Sequence, residues 1–239
     1  MTQKGPADWV SFWNAPHSIY VNARHLDAHY RDIAEGIIAL IPSPGARVLD
    51  YGCGEALHAD RVAAAATSLT LCEAAEAVRA NLARRFAGHP KIKIVAPADL
   101  EEEADAVYDL VVANSVVQYL SAAELSRLLG LWRRLLAPEG RLVVGDVIPP
   151  DVGAASDVMA LLRYAARNGF LIPALAGLAR TAISPYRRIR ARLGVARYSE
   201  RAFLARLEAA GYRAERAARN LEHNQARMTF LASPRGNGG

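Results

Sequence analysis

The sequence predicts an α/β fold: a mainly parallel seven-stranded sheet with helices on both faces and a helical insertion after the fifth strand. Three observations carry this expectation. Short β-rich runs alternate with helical apolar patterns from about residue 45 to 150. Some of these runs, such as residues 110–113, are apolar throughout, which suits strands covered on both sides. A glycine turn, Gly52-Cys53-Gly54, stands between the first run and the helical pattern behind it. The chain has 239 residues and is 52% apolar, enough for one large domain with a real core and too apolar for a disordered chain.

The elements follow in order. Trp9, Phe12, Trp13, His17 and Tyr20 make an aromatic, irregular start, and Leu26, Tyr30, Ile33, Ile37 and Ile41 then recur at helical spacing. Residues 1–44 are therefore expected to form a cap segment with a helix over about 22–40. Strands are expected at 47–50, 69–73, 91–95, 109–113 and 141–145, with helices at 57–66, 74–86 and 121–136, inside a core of 45–150. Pro149 and Pro150 open an insertion over 151–198, expected to be helical. Ser199 is a natural N-cap for a helix over 200–210 that Gly211 ends. Two last strands, 212–219 and 227–232, complete a single domain. The turn between them, 220–226, is expected to face solvent despite its concentrated polarity at His223-Asn224-Gln225, and 233–239 to be a flexible tail.

Charge is uneven. From 158 to 199 there are eight arginines and no Asp or Glu, so the rest of a chain of net charge +5 is net acidic. Cys53 and Cys72 are too few for a disulfide framework and read as reduced core thiols. The first residues lack the apolar stretch of a signal peptide, and no run of about 18 apolar residues exists to cross a membrane. A cytoplasmic location is the expectation.

Chemistry concentrates at Val48-Leu49-Asp50-Tyr51-Gly52-Cys53-Gly54-Glu55. A buried strand ends in an acid, and a glycine turn follows where backbone and ligand can approach without a Cβ between them. A carboxylate at that strand end tolerates a nearby cation, not a diphosphate. Nineteen residues after Gly54, Glu73 closes the second strand, where an acid can accept hydrogen bonds from both ribose hydroxyls.

On these residues the sequence resembles the class I S-adenosylmethionine-dependent methyltransferases. The family's first motif is matched by residues 48–54 and its second-strand acid by Glu73. Its fourth strand is matched by Tyr108-Asp109-Leu110-Val111-Val112-Ala113-Asn114-Ser115, and its next helix-turn-strand by Leu135-Leu136-Ala137-Pro138-Glu139-Gly140-Arg141-Leu142. The likeness covers about 45–150 well and 200–232 loosely. It implies a Rossmann-like methyltransferase fold and S-adenosyl-L-methionine as cofactor, with S-adenosyl-L-homocysteine as product. Asp50, Gly52, Cys53, Gly54, Glu73, Ala74, Asp99, Leu100, Asn114 and Ser115 would form the cofactor site, Asp99 and Leu100 at the adenine. Two departures stand out: Glu55-Ala56-Leu57 follows the glycine turn where another small residue is common, and the acid behind strand three is offset.

A nicotinamide-dependent oxidoreductase would want Gly-x-Gly-x-x-Gly/Ala, whereas this chain has Leu57 at the last position, and such an enzyme has no use for Asp50. A nucleic-acid methyltransferase remains an alternative because of the arginines, although Asn114-Ser115-Val116-Val117 is not the Asn/Asp-Pro-Pro-aromatic of adenine-amino enzymes. A non-catalytic binding module of the same fold is the other.

The expected acceptor is a small, partly apolar molecule methylated by in-line displacement. His17, His25 and His29 are the candidate catalytic groups, because in the family the N-terminal segment commonly folds over the cofactor; Tyr20, Gln118 and Tyr119 are candidate substrate contacts. His25 and His29 stand four apart on one helical face, but without a third ligand in view no metal is expected. Leu161, Leu162, Phe170, Leu171, Ile172, Leu175 and Leu178 are expected to line an apolar chamber over the acceptor. Arg187, Arg188, Arg190 and Arg192 would give that chamber a basic rim and a peripheral contact with an anionic membrane.

Overall fold

Adjacent residues in each central strand serve opposite sides of the sheet, which is why the runs are apolar throughout. The computed structural model describes residues 7–14, 20–181 and 194–236. Val48, Leu110, Val112 and Val143 pack on one face with Ala34, Ile37, Val62, Val78 and Leu82. Leu49, Val111, Leu142 and Val144 pack on the other with Leu125, Leu128, Trp132, Phe203 and Phe230. Those two layers are the core.

The strands are β1 (Arg47–Tyr51), β2 (Ser68–Cys72), β3 (Ile92–Val95), β4 (Tyr108–Asn114), β5 (Leu136–Val147), β6 (Tyr212–Arg216) and β7 (Met228–Pro234). They form one seven-stranded sheet in the order β3-β2-β1-β4-β5-β7-β6. The first five are parallel, while β7 runs antiparallel to both β5 and β6. Strand order reverses between β1 and β4, and ligands of such sheets bind outside the carboxyl ends at that crevice.

The helices are α1 (Ala7–Trp13), α2 (Ala23–Leu40), α3 (Ala59–Ala64), α4 (Glu76–Arg85), α5 (Ala122–Leu135), α6 (Ala154–Asn168), α7 (Leu171–Thr181) and α8 (Glu200–Ala209). Asn22 caps α2 by accepting the His25 N–H at 2.8 Å. Ser121 and Glu124 cap α5 reciprocally: Glu124 N–H donates to Ser121 Oγ at 3.3 Å, and Ser121 N–H to Glu124 Oε2 at 2.8 Å. Gly211, with φ +86°, follows α8 as its sequence position suggests.

Three expectations are corrected. β7 extends to Pro234, with Ser233 paired to Arg213, so the expected tail is partly strand. The turn 220–226 does not face solvent: Asn220, Glu222 and Asn224 are buried. The insertion is helical where described, yet none of its described residues lines the cavity below. Phe170 and Ala174 instead pack with Ala28 of α2, and Tyr164 Oη donates to Asp32 Oδ2 at 2.8 Å, so this hairpin leans on the outer side of α2. Leu171, Ile172 and Leu175 are exposed rather than chamber-lining. Arg187, Arg188, Arg190 and Arg192 lie outside the described residues.

Candidate functional site

A cavity of about 270 Å³ opens at the carboxyl ends of β1, β2 and β4, between the glycine turn and the N-terminal helices. Its floor includes Asp50, Gly52, Cys53, Gly54, Glu73, Ala74, Asn114 and Ser115. Its walls include Trp9 and Trp13 of α1, His29 and Tyr30 of α2, and Tyr20, Tyr119 and Glu222.

The glycine turn is held from within. Gly52 N–H and Cys53 N–H both donate to Cys72 O, at 2.7 and 3.2 Å. Gly54 N–H donates to Glu73 Oε2 at 2.9 Å, and Glu55 N–H to Tyr30 Oη at 2.8 Å. Four successive amides are thus engaged by the protein, so the turn is not the array of free N–H groups that cradles a diphosphate. Gly52 and Gly54 have φ of +74° and +57°. A Cβ on Gly52 would meet Val116 Cγ2 at 2.5 Å, so its role is a close approach within the protein.

Two carboxylates face the cavity in different states of satisfaction. Glu73 Oε1 accepts the Ala75 N–H at 2.8 Å and Oε2 the Gly54 N–H, leaving each oxygen a further lone pair. Asp50 is buried and accepts no hydrogen bond from the described residues. Burial, and then Glu73 beside it, pushes its carboxyl up to about 7. A buried acid in this condition is matched by a cationic ligand.

The other end is built by chain segments far apart in sequence. Glu222, in the turn before β7, accepts from Asn114 Nδ2 at 2.9 Å through Oε1, and its Oε2 lies 3.2 Å from His29 Nδ1; Ser115 Oγ, 3.2 Å from Oε1, donates its one proton to Asp146 Oδ2 at 2.9 Å. Burial works against an ionised Glu222, yet His29 and His223 hold its carboxyl well below the usual range. Burial likewise opposes the charge on His29, but Glu222, with Asp146 and Asp32, raises it. Behind them, Asp146 of β5 binds Arg227 and accepts from Asn220 Nδ2 at 3.2 Å, and Asn220 Oδ1 accepts from Asp146 N–H at 3.1 Å. Ser115 and Asp146 take φ of +57° and +62°, conformations that non-glycine residues hold at a cost.

The other expected site residues are distributed as follows. Tyr20 lines the cavity with its ring 5.2 Å from that of His29, and Tyr119 lines it with its ring 4.4 Å from that of Trp9. Gln118 is buried but lies away from the cavity lining. His25 also lies away from it: its ring stacks on Phe170 at 4.8 Å, Nδ1 accepts the Val21 N–H, and burial, then His29 and His223, pushes it down to about 4. Asp99 turns back on its own loop, Oδ2 accepting the Ala96 N–H at 2.7 Å, and Leu100 is sealed in the core; Pro97 is the residue of that loop in the lining. His17 lies outside the described residues. Sequence reasoning passed over Tyr30 and Glu222.

The fold and site define a Rossmann-like α/β protein with a cavity at the switch point of its sheet. Residues 49–142 match the family model of the methyltransferase domain. No curated protein sequence matches the chain significantly. The fold is similar to that of DhpI solved with S-adenosylhomocysteine, at 14% identity and TM-score 0.63, covering 99% of this chain and 100% of that one. It is also similar to 1,6-didemethyltoxoflavin-N1-methyltransferase from Burkholderia thailandensis, solved with 1,6-didemethyltoxoflavin and S-adenosylhomocysteine, at 16% identity and TM-score 0.61, covering 97% and 87%. A third is an S-adenosylmethionine-dependent methyltransferase from Leishmania major, at 14% identity and TM-score 0.60, covering 96% and 82%. S-adenosylmethionine is the cofactor that this domain implies.

Proposed function

We propose that the chain transfers a methyl group from S-adenosylmethionine to a small acceptor held under the aromatic wall. The observation that carries this reading is the pairing of Asp50, which faces the cavity with no hydrogen bond from the described residues, with a Glu73 that has lone pairs to spare, beside a glycine turn whose amides are already used. The cofactor, when bound, supplies a methyl group on a positively charged sulfur. Asp50 would hold its ammonium end and Glu73 its ribose hydroxyls, with Gly52, Cys53, Gly54 and Ala74 shaping the floor. Pro97 takes the place by the adenine that sequence gave to Asp99 and Leu100.

Asn114 joins the donor floor to the acceptor end by donating to Glu222, and Ser115 by donating to Asp146 behind it. Tyr20, Tyr119, Trp9 and Trp13 offer flat apolar surface, which suits a partly apolar acceptor and excludes water from the reaction. His29, fixed by Glu222, is the residue proposed to meet the acceptor's reacting group, and His25 and Gln118 are dropped from that role. Calorimetry should show S-adenosylhomocysteine binding and no binding of NAD⁺. With labelled S-adenosylmethionine and cell extract, label should enter the small-molecule fraction; label in nucleic acid instead would overturn the acceptor reading.

A peripheral contact with anionic membrane is supported by a separate feature. All the exposed large apolar side chains among the described residues, Met159, Leu171, Ile172 and Leu175, fall on the α6–α7 hairpin, and Ile172 is 81% exposed. Residues 158–199, which include most of this hairpin, carry eight arginines and no acid. Apolar residues beside unopposed arginines suit an interfacial helix on anionic lipid. No helix among the described residues is long and apolar enough to cross a membrane.

A further inference from the structure

We infer that His29, Glu222 and His223 form a binding site for one divalent transition-metal cation of the zinc class at the acceptor end of the cavity. One nitrogen of each histidine and a carboxylate oxygen of Glu222 lie within 4.8 Å of one another. Both Nδ1 atoms converge on the same oxygen: Glu222 Oε2 is 3.2 Å from His29 Nδ1 and 3.7 Å from His223 Nδ1. The second distance is too long for a hydrogen bond, and His223 Nδ1 is buried with no hydrogen-bond partner among the described residues. An imidazole nitrogen left so costs stability unless something sits between it and the carboxylate. A cation about 2.0–2.2 Å from nitrogen and oxygen ligands fills that role, and two histidines with a glutamate are a known zinc donor set.

The surroundings are those of a ligand set rather than of loose side chains. The His223 ring is stacked on Tyr164 at 4.6 Å, and the His29 ring is flanked by Tyr20 and Tyr30 at 5.2 and 5.1 Å, so both rings are fixed before any ion arrives. Glu222 Oε1 is held by Asn114, which leaves Oε2 for the metal and orients it. The local charge also calls for a cation. Arg227 is shared between Asp146 and Asp157, so the positive charge facing Glu222 is that of protonated His29, whose place a bound cation would take. His29 and Glu222 line the cavity, so coordination positions not taken by protein would face the acceptor. Resting on the methyltransferase reading, the acceptor would then present an ionisable oxygen or nitrogen, bound to the cation and stabilised as its anion, the proton passing to solvent.

The test uses tag-free protein stripped with chelator and titrated with Zn²⁺ in the calorimeter, without cofactor. One equivalent should bind, and Co²⁺ loading should give the intense visible band of a low-coordinate site with nitrogen and oxygen ligands. His223→Phe keeps the stacking on Tyr164 and removes the ligand nitrogen; Glu222→Gln keeps the shape and weakens the oxygen. Each should lower Zn²⁺ affinity at least tenfold, while His25→Ala should leave it unchanged. Absence of stoichiometric binding by the wild-type protein, or equal binding by folded His223→Phe, overturns the site. If His223→Phe does not fold, the wild-type stoichiometry and Co²⁺ spectrum decide alone. S-adenosylhomocysteine binding is measured on the same metal-free protein, so the metal site and the methyltransferase reading can fail separately.

Discussion

Glu73 and Gly54 are joined by a 2.9 Å hydrogen bond, so the carboxylate proposed to hold the ribose also holds the glycine turn. Glu73→Ala removes both functions at once. Charge-assisted hydrogen bonds are worth about 1.5–3 kcal/mol each, so S-adenosylhomocysteine affinity should fall at least tenfold in calorimetry. Unchanged affinity in the folded variant would take Glu73 out of the site.

A Cβ on Gly54 would lie 2.4 Å from Tyr30 Oη, at a φ of +57°. Gly54→Ala should therefore destabilise the fold through the hydroxyl contact and through a left-handed conformation costing about 1–2 kcal/mol. Removing the hydroxyl with Tyr30→Phe relieves the first effect and leaves the second. Chemical denaturation of the two single variants and the double variant should show the double less destabilised than the sum of the two. Additive losses would mean that Tyr30 does not press on the turn.

Asp50 gives binding a direction in pH. Its carboxyl is pushed up to about 7 in the free protein, and an ammonium group bound beside it favours the anion. Below about pH 7 binding must then expel a proton, so affinity should rise with pH and level off above that value, by up to about one decade per unit. Asp50→Asn should bind weakly with this dependence flattened. Calorimetry in buffers of different ionisation enthalpy measures the released proton directly; no release at pH 6 would contradict the assignment.

Asn220 satisfies four groups: the Asp146 N–H, the Asp146 carboxylate, Asn224 O and the Thr229 hydroxyl. Asn220→Ala leaves several of them buried and unpaired, at about 1–3 kcal/mol for each. Thermal unfolding should shift down by roughly 2–4 °C per kcal/mol lost. A variant as stable as the parent would show the turn to be solvated after all.

Ile172 and Leu175 are the most exposed large apolar residues of the α6–α7 hairpin. Replacing both with Asp should abolish co-sedimentation with vesicles rich in anionic lipid, since each buried aliphatic side chain is worth about 1.5–3 kcal/mol. Stability and S-adenosylhomocysteine affinity should not change. Equal sedimentation of both proteins would remove the membrane contact.

The sheet and the donor floor were legible because their signals are local. Residues 48–54 carry a strand, an acid and a glycine turn within a few positions, and the structure puts β1 and the turn there. Helix α2 was readable from its apolar spacing alone; its Asn22 cap emerged only with the structure. The proposed acceptor end was not readable, because it depends on pairing across the sheet. Glu222 looks like a polar turn residue until β7 lies beside β5 and carries that turn back to Asn114 and His29. The insertion misled for the opposite reason: its apolar residues are real packing signals, but periodicity does not say which neighbour they meet, and Phe170 meets His25.

The antiparallel return of β7 has an evolutionary consequence. The residues proposed to bind the donor fall between Asp50 and Ser115, whereas the proposed acceptor wall, apart from Tyr119, draws on Trp9, Trp13, Tyr20, His29 and Tyr30 early in the sequence and on Glu222 late in it. Drift or recombination at the two ends can therefore remodel which acceptor is admitted while the middle of the gene stays under constant selection for its donor. Orthologous clades should diverge most at those ends, and exchanging both ends together should transfer acceptor choice where exchanging either alone leaves a mismatched wall.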